Sequence, residues 1–318
     1  MSLLSAFTSS PLKVVAMAGL LFTTPVIEKA SAQALQIQDK ILKIGDSNVH
    51  AIVYKNIARP SGLVFVSLHS NEQLLNPMLI ENLVDKAGTI VVLSPPLDKG
   101  GNLCRWVRFS IDGQVFFFDP NRMWDDSRIK LGTEAGCADN TPPSMPRAGN
   151  QVDPTVVLRA KNAVISFRKT FASLLGFDGS SRPGYRVAAH NNRGLRFDSE
   201  EVFPDMCFTR NSSKTSASDD SAAGDFFLVT SKKSFEYFAS KDYNVILQTP
   251  ATLSTEDCQD GSLSIFAQSL GVPFTTIEVN YSGDNDGERS TVKSQKKAAS
   301  MVRSAFSAYS QHTGAGSQ

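Results

Sequence analysis

The sequence predicts an α/β protein of one domain, built on a mixed, mostly parallel twisted sheet with helices on both faces. Apolar runs of strand length alternate with amphipathic helical patterns along most of the chain, an order typical of such sheets. The 318 residues are 41% hydrophobic and 20% charged, which is sufficient for a large buried core. No stretch has the composition of a linker, so residues 35–312 are predicted to form a single unit.

The N-terminal segment, residues 1–34, is predicted to be an export signal. One cation, Lys13, precedes the apolar run 14–22, and small residues follow at 30–34 in an A-x-A-like arrangement. The run is shorter than the ~20 residues that cross a bilayer, which favours cleavage after Ala32 or Ala34 over anchoring. We therefore expect a secreted or periplasmic protein with no stable membrane anchor after cleavage.

The mature chain is predicted to begin its regular structure with a β-α-β unit. Apolar runs at 63–68 and 89–93 have strand character, and a helical pattern near 77–87 separates them. With the later alternation of strands and helices, this order implies a largely parallel or mixed sheet.

The longest predicted helix follows a loop rich in Gly, Asn, Pro and Ser at 132–151. Asp153 and Pro154 are typical of an N-cap and a first helical turn. Apolar residues then recur at intervals of three and four up to Leu174, and Gly176 can end the helix.

Strands and helices continue to alternate towards the C-terminus. The predicted strands are 185–189, 225–230, 243–248 and 274–279, and the predicted helices are 234–240, 260–270 and 290–309. Residues 210–224 are rich in Ser, Asp and Lys and are predicted to form a mobile surface loop. Residues 313–318 are predicted to be a frayed tail.

The charge balance argues against a nucleic-acid partner. The chain has 32 Lys and Arg against 31 Asp and Glu, and no long basic run offers a surface for a phosphate backbone. A small molecule or a peptide is the expected partner.

Export determines how the four cysteines are interpreted. They are Cys104, Cys137, Cys207 and Cys258, and they include no C-x-x-C pair that would indicate a zinc or redox motif. Two disulfides are predicted, because disulfides persist in an oxidising compartment. Three connectivities are possible, and Cys104 with Cys137 and Cys207 with Cys258 is favoured because nearer pairs close smaller loops. Four buried free thiols are the alternative.

Ionisable side chains follow or interrupt three of the predicted strands, where open α/β sheets bind ligands. His69 and Glu72 follow one strand at H-x-x-E spacing, which lets both contact one ion on a tight turn. His190 ends another strand. Two His and one Glu form a zinc ligand set that leaves a fourth position for water. Glu278 lies in an otherwise apolar strand, where an unpaired carboxylate would be costly.

Each of these signals has a structural alternative. The H-x-x-E spacing occurs by chance, and a histidine at a strand end often hydrogen-bonds to the backbone. The chain has only four histidines, however, and two of them occupy strand ends. The joint pattern therefore favours a metal site.

The segment 119–122, Asp-Pro-Asn-Arg, is a candidate anion-binding site. A turn with a solvated arginine is the structural alternative. The guanidinium of Arg122 and the amide of Asn121 are also suited to clamp a substrate carboxylate.

With these motifs in this order, the sequence resembles the zinc carboxypeptidase superfamily of M14-like metallopeptidases, which includes the succinylglutamate desuccinylase and aspartoacylase branch. The resemblance extends from about Leu63 to Tyr281. Within it, the segment 260–264, Asp-Gly-Ser-Leu-Ser, is similar to the desuccinylase branch.

The resemblance implies a zinc cofactor held by His69, Glu72 and His190, with Glu278 as the general acid and base. It also implies that Asn121 and Arg122 bind the carboxylate of the substrate.

An arginine upstream of this pair is implied to polarise the scissile carbonyl. Arg108 is the first candidate for this role, and Arg105 is the second and a candidate substrate-binding residue.

Three functions remain open at this point. The leading hypothesis is an exported zinc-dependent amide hydrolase of carboxypeptidase type, acting on a peptide or amino-acid derivative with a free carboxylate. An N-acyl amino acid deacylase of desuccinylase or aspartoacylase type and a non-catalytic secreted binding module are the alternatives. Serine or cysteine hydrolysis is disfavoured, because the sequence has no G-x-S-x-G elbow and oxidised cysteines cannot attack.

Overall fold

The structure is a computed structural model that describes residues 35–70, 72, 74–95, 103–135, 141–145, 152–178, 184–192, 214–216, 224–249, 259–280 and 287–313. The strands are β1 (Leu35–Ile44), β2 (Ser47–Asn56), β3 (Leu63–Ser67), β4 (Thr89–Ser94), β5 (Val107–Ile111), β6 (Gln114–Phe118), β7 (Tyr185–Asn192), β8 (Lys214–Ser216), β9 (Phe226–Val229), β10 (Asn244–Leu247) and β11 (Phe274–Asn280). The helices are α1 (Asn76–Asp85), α2 (Pro154–Leu174), α3 (Lys232–Ala239), α4 (Leu263–Ser269) and α5 (Gly287–Thr313), with a 3-10 turn at Asp126–Arg128.

A nine-stranded sheet in the order β1-β2-β4-β3-β7-β11-β9-β10-β8 forms the centre of the fold. The four strands β4, β3, β7 and β11 are parallel neighbours. Antiparallel pairings flank them, and the pairings together orient β1, β3, β4, β7, β8 and β11 in one direction. The sheet is therefore mixed and mostly parallel, which confirms the predicted fold class.

Each face of the sheet is covered by its own apolar core, because side chains alternate between the faces along a strand. Val66 and Ala188 belong to the cluster under α2 and α4, which also contains the hairpin of β5 and β6. Phe65 and Val187 belong to the cluster under α1, α3 and α5. These two sides are the first face and the second face of the sheet, respectively.

The chain changes direction across the sheet between β3 and β7. Helix α1 connects β3 to β4 across the second face, whereas β7 pairs with β3 on its other edge and follows α2 on the first face. Such a topological switch point opens a crevice at the carboxyl ends of the two strands, where α/β proteins bind ligands.

Most elements lie where the sequence predicts them, and two boundaries matter for the site. Helix α2 begins after Asp153, whose side chain accepts a hydrogen bond from the amide of Thr155, and the chain turns at Gly176 with a φ of +70°. Strand β7 continues beyond the predicted end at residue 189 to Asn192. His190 is therefore held inside a strand.

Helices α4 and α5 differ from the predicted ranges. Helix α4 begins at Leu263 rather than at residue 260, because residues 260–262 form a turn that docks elsewhere. Helix α5 is longer than predicted and includes Thr313, which was assigned to the tail.

The sequence analysis missed strands β1 and β2 and the hairpin of β5 and β6. It also predicted a loop throughout 210–224, whereas Lys214–Ser216 forms strand β8 and pairs with β10. The remaining residues of that loop lie outside the described residues, apart from Gly224.

Several further predictions fall on residues that the structure does not describe. They concern the export signal at 1–34, the tail after Thr313 and three of the four cysteines. Cys104 is buried and is not a free thiol, but the predicted disulfide pairing stays a prediction. None of the helices in the described part of the chain is both long and apolar enough to cross a membrane.

Candidate metal centre

The carboxyl ends of β3 and β7 bring together the three predicted metal ligands. His69 follows β3, Glu72 lies on the turn after it, and His190 belongs to β7. The turn is closed by a hydrogen bond of 3.1 Å from the Glu72 amide to the His69 carbonyl. All three side chains are buried, and one potential ligand atom from each lies within 4.8 Å of the others.

Among the residues that the structure describes, one potential ligand atom of this cluster has no hydrogen-bond partner. His69 Nδ1 is buried and unpartnered, although it lies 3.0 Å from Glu72 Oε1. The separation permits electrostatic attraction, but the orientation does not make a hydrogen bond. Leaving a buried polar atom unpaired is costly, and a cation between the two atoms would satisfy it. The residues therefore fit a metal ion, and two imidazoles with one carboxylate suit zinc.

A second carboxylate holds the opposite edge of the His69 ring. His69 Nε2 donates to Asp119 Oδ1 at 2.9 Å, which leaves Nδ1 as the nitrogen that can bind a metal. Histidine ligands are commonly oriented by such a carboxylate, which fixes the tautomer and raises the basicity of the ring. Asp119 is itself fixed by an acceptor bond of 2.8 Å from the amide of Asn121.

Arg105 joins the two carboxylates of the site. Its Nη1 donates to Glu72 Oε1 at 2.6 Å, and its Nε and Nη2 donate to Asp119 Oδ2 at 3.3 and 3.2 Å. The Arg105 side chain is 26% exposed.

Charge interactions keep both carboxylates ionised. Burial alone would raise the pKa of Glu72, but His69 and His190 hold that pKa far below its usual range. Burial also raises the pKa of Asp119, and His69 and Arg105 lower it by more. Burial lowers the pKa of His69, but Glu72 and Asp119 outweigh this effect and raise it. Glu72 and Asp119 are therefore ionised, and their negative charges are balanced within the site by Arg105 and by the imidazoles that contact them.

Ser70 explains why Arg105 reaches this position. Its hydroxyl donates to the Cys104 carbonyl at 2.7 Å and accepts from the Cys104 amide at 3.1 Å. The turn that carries His69 is thereby tied to the segment that carries Arg105.

Glu278 lies beside the predicted ligands on the neighbouring strand. It is paired in register with His190, and its neighbours Ile277 and Val279 belong to the second face. Alternation therefore directs Glu278 to the first face, the side of His190. Glu278 is partly exposed. Burial lowers the pKa of Arg105, and the charge of Glu278 is one of the carboxylate charges that raise it.

The structure places Arg105, rather than Arg108, in the site. Arg108 lies in β5 between the buried residues Val107 and Phe109, so its side chain projects from the opposite side of the hairpin. It makes none of the contacts that hold the cluster. Sequence reasoning ranked Arg108 first and gave Asp119 no role of its own, although Asp119 opens the Asp-Pro-Asn-Arg segment.

Asn121 and Arg122 dock against the segment before α4. The Asn121 side-chain oxygen accepts from the Leu263 amide at 3.2 Å. Arg122 Nη2 lies 3.4 Å from Asp260 Oδ2 and remains 39% exposed. Both predicted clamp residues thus lie beside Asp119 of the candidate metal centre, and Asp260 places a carboxylate next to the arginine.

No family model matches the sequence, and no curated protein matches it. Solved structures do match. Murein-tripeptide amidase from Escherichia coli O157 is 12% identical with a TM-score of 0.42, and the match covers 89% of this chain and 98% of that one. Bovine thrombin-activatable fibrinolysis inhibitor is 10% identical with a TM-score of 0.43, covering 89% and 93%. Succinylglutamate desuccinylase from Chromobacterium violaceum is 14% identical with a TM-score of 0.38, covering 87% and 72%.

Proposed function

We propose that the protein is an exported zinc-dependent amide hydrolase of carboxypeptidase type that acts on a peptide or amino-acid derivative with a free carboxylate. The single observation that carries this proposal is the unpartnered His69 Nδ1 beside Glu72, with Asp119 on the opposite nitrogen. His190 Nδ1 is satisfied by Glu72 Oε2 at 2.7 Å, whereas leaving His69 Nδ1 unsatisfied is costly unless a cation binds there.

His69, Glu72 and His190 would hold the metal. When bound, zinc would supply a Lewis acid that polarises the scissile carbonyl and lowers the pKa of water to about 7.

Glu278 accepts the proton of the attacking water and delivers it to the leaving amine. Its place in register with His190 puts the carboxylate beside the ligands on the first face. A positioned carboxylate of this kind contributes about 10²- to 10⁴-fold to the rate.

The oxygen of the scissile carbonyl develops negative charge during the reaction, and Arg105 supplies the positive charge that stabilises it. Arg105 is the candidate because its guanidinium contacts the proposed ligand Glu72. Arg122 and Asn121 bind the carboxylate of the leaving group. Export is supported by the signal layout of residues 1–34.

The test compares turnover by wild type and Glu278→Gln. The zinc-loaded protein is assayed on N-acyl dipeptides, N-acyl amino acids and side-chain-acylated amino acids, and zinc is measured in parallel. Glutamine keeps the size of the side chain but cannot carry the proton, so the rate should fall by about 10²- to 10⁴-fold with zinc retained. Full activity in the variant would remove Glu278 from the mechanism. Absence of turnover by zinc-loaded wild type on all three classes would favour the secreted binding module.

A further inference from the structure

The proposed carboxylate clamp contains a carboxylate of its own. Arg122 Nη2 and Asp260 Oδ2 lie 3.4 Å apart, and their side chains are 39% and 29% exposed. A leaving group that carried only a carboxylate would approach Asp260 as well as Arg122, and like charges at this separation repel. The pair is therefore poorly matched to a simple carboxylate.

The orientation of Asp260 is fixed by its own turn. Its Oδ1 accepts a hydrogen bond of 2.9 Å from the Ser262 amide, which leaves Oδ2 for Arg122. Gly261 makes this turn possible, because its φ is +74° and a Cβ there would lie 2.8 Å from the Cβ of Arg128.

Two further hydrogen bonds fasten this turn to the segment that carries Arg122. The Trp124 amide donates to the Gly261 carbonyl at 3.1 Å, and the Leu263 amide donates to the Asn121 side chain at 3.2 Å. The two segments that carry the charges are thus fastened to each other, which brings Arg122 and Asp260 to the same place.

The pair also lies close to the proposed metal centre. Arg122 follows Asp119 by three residues in a turn closed by a hydrogen bond of 2.9 Å from the Arg122 amide to the Asp119 carbonyl. A group bound by Arg122 and Asp260 is therefore within electrostatic reach of the site.

We infer that Arg122 and Asp260 together bind the α-carboxylate and α-ammonium of a free amino-acid end, so that the substrate is an amino acid acylated on its side-chain nitrogen. Charged groups this close match an ammonium and a carboxylate on one carbon. In an ordinary peptide the α-nitrogen of the last residue is acylated and carries no charge, so the substrate would offer Asp260 no positive group. The inference rests on the proposed amide hydrolysis and names its leaving group.

The reaction is then hydrolysis of a side-chain amide. Water adds its oxygen to the acyl carbon, the bond from that carbon to the side-chain nitrogen breaks, and the nitrogen takes up a proton. The products are a carboxylic acid and a free diamino acid.

Calorimetric binding tests the inference independently of turnover. The zinc-loaded Glu278→Gln protein is titrated with Nε-acetyl-L-lysine, its D enantiomer and 6-acetamidohexanoate, which lacks only the α-ammonium. One lysine enantiomer should bind at least about tenfold more tightly than 6-acetamidohexanoate, because a charge-assisted contact is added. Adding Asp260→Asn should bring this ratio to about one, since asparagine keeps the acceptor for the Ser262 amide but has no charge. Asp260→Ser provides a second variant.

Asp126→Asn is the matched control, because Asp126 is also paired with an arginine, Arg168, at 2.7 Å but lies on an exposed 3-10 turn. It should leave the binding ratio unchanged. Three results would each overturn the inference. The first is that the lysine derivatives and 6-acetamidohexanoate bind equally well before Asp260 is changed. The others are an affinity ratio that stays the same in both Asp260 variants, and no binding of any of the three compounds.

Turnover separates this failure from failure of the proposed function. If wild type hydrolyses N-acyl dipeptides but the lysine derivatives bind no more tightly than 6-acetamidohexanoate, only the inference is overturned. If the expected affinity ratio is found but wild type hydrolyses no amide, the protein has an amino-acid binding site and the proposed hydrolase function is wrong.

Discussion

Asp119 connects the proposed metal ligand His69 to Arg105. Its Oδ1 accepts from His69 Nε2 at 2.9 Å and from the Asn121 amide at 2.8 Å. Its Oδ2 accepts two longer bonds from Arg105, at 3.3 and 3.2 Å. Asp119→Asn preserves the shape and one oxygen acceptor. If that oxygen stays on His69, the new amide group places donors against the donors of Arg105.

The loss of zinc affinity expected in Asp119→Asn follows from the interactions that the substitution removes. The ring of His69 loses the negative charge behind it, and the two bonds to Arg105 are replaced by an unfavourable contact. Removing a partner that orients a metal ligand typically weakens metal binding about 10- to 100-fold. This corresponds to about 1.4 to 2.8 kcal/mol of binding free energy. The longer bonds to Arg105 should affect turnover more than metal affinity.

The assay is zinc competition with a chromophoric chelator at neutral pH, with circular dichroism to verify folding. Asp126→Asn, whose ion pair with Arg168 lies on an exposed turn, should bind zinc like wild type. Zinc affinity of folded Asp119→Asn within twofold of wild type would refute the view that this carboxylate positions His69 as a ligand.

Three further predictions test neighbouring parts of the site. Ser70→Ala should lower kcat with zinc content unchanged, because the Cys104 backbone loses both hydrogen bonds that place Arg105; loss of zinc instead would mean that Ser70 supports the ligand turn itself. Arg122→Ala should raise KM for substrates with a free carboxylate far more than for their carboxamides, and equal effects on both would remove Arg122 as the anchor. In the metal-free protein, Glu72 has a lowered pKa, so its contribution to stability is present above the ordinary carboxyl pKa of about 4.3 and is lost as the pH falls below it. Denaturant unfolding of wild type and Glu72→Gln should therefore converge as the solution is acidified, and a constant difference down to pH 2 would contradict the charge interaction.

The sequence predicted the sheet elements that carry the ligands because their signals are local. The apolar run of β3, the capped helix α2 and the strand that ends near His190 are each recognisable from a few residues. The hairpin of β5 and β6 was missed although Asp112 and Gly113 form its two-residue turn, both with positive φ, and this dipeptide is a strong hairpin signal. Strand β1 has a weaker sequence signal. It lies at the edge of the sheet, and its apolar residues Ile37 and Ile41 are exposed, so its apolar pattern does not indicate a buried face.

The arrangement of the arginines was beyond sequence reasoning for a different reason. Arg105 and Arg108 are three residues apart, and only the tertiary anchoring of the backbone at Cys104 by Ser70 directs the former to Glu72. The pairing of Arg122 with Asp260 likewise joins segments distant in the chain. Neither contact has a signature in residue spacing.

The central claim is that His69, Glu72 and His190 form a zinc site, and metal analysis tests it most directly. Purified protein, dialysed against metal-free buffer after loading, should retain one equivalent of zinc per chain. His190→Ala should lose that zinc while remaining folded, because the remaining two ligands do not hold the ion against dialysis. Wild type without bound zinc, or His190→Ala with a full equivalent, would contradict the account.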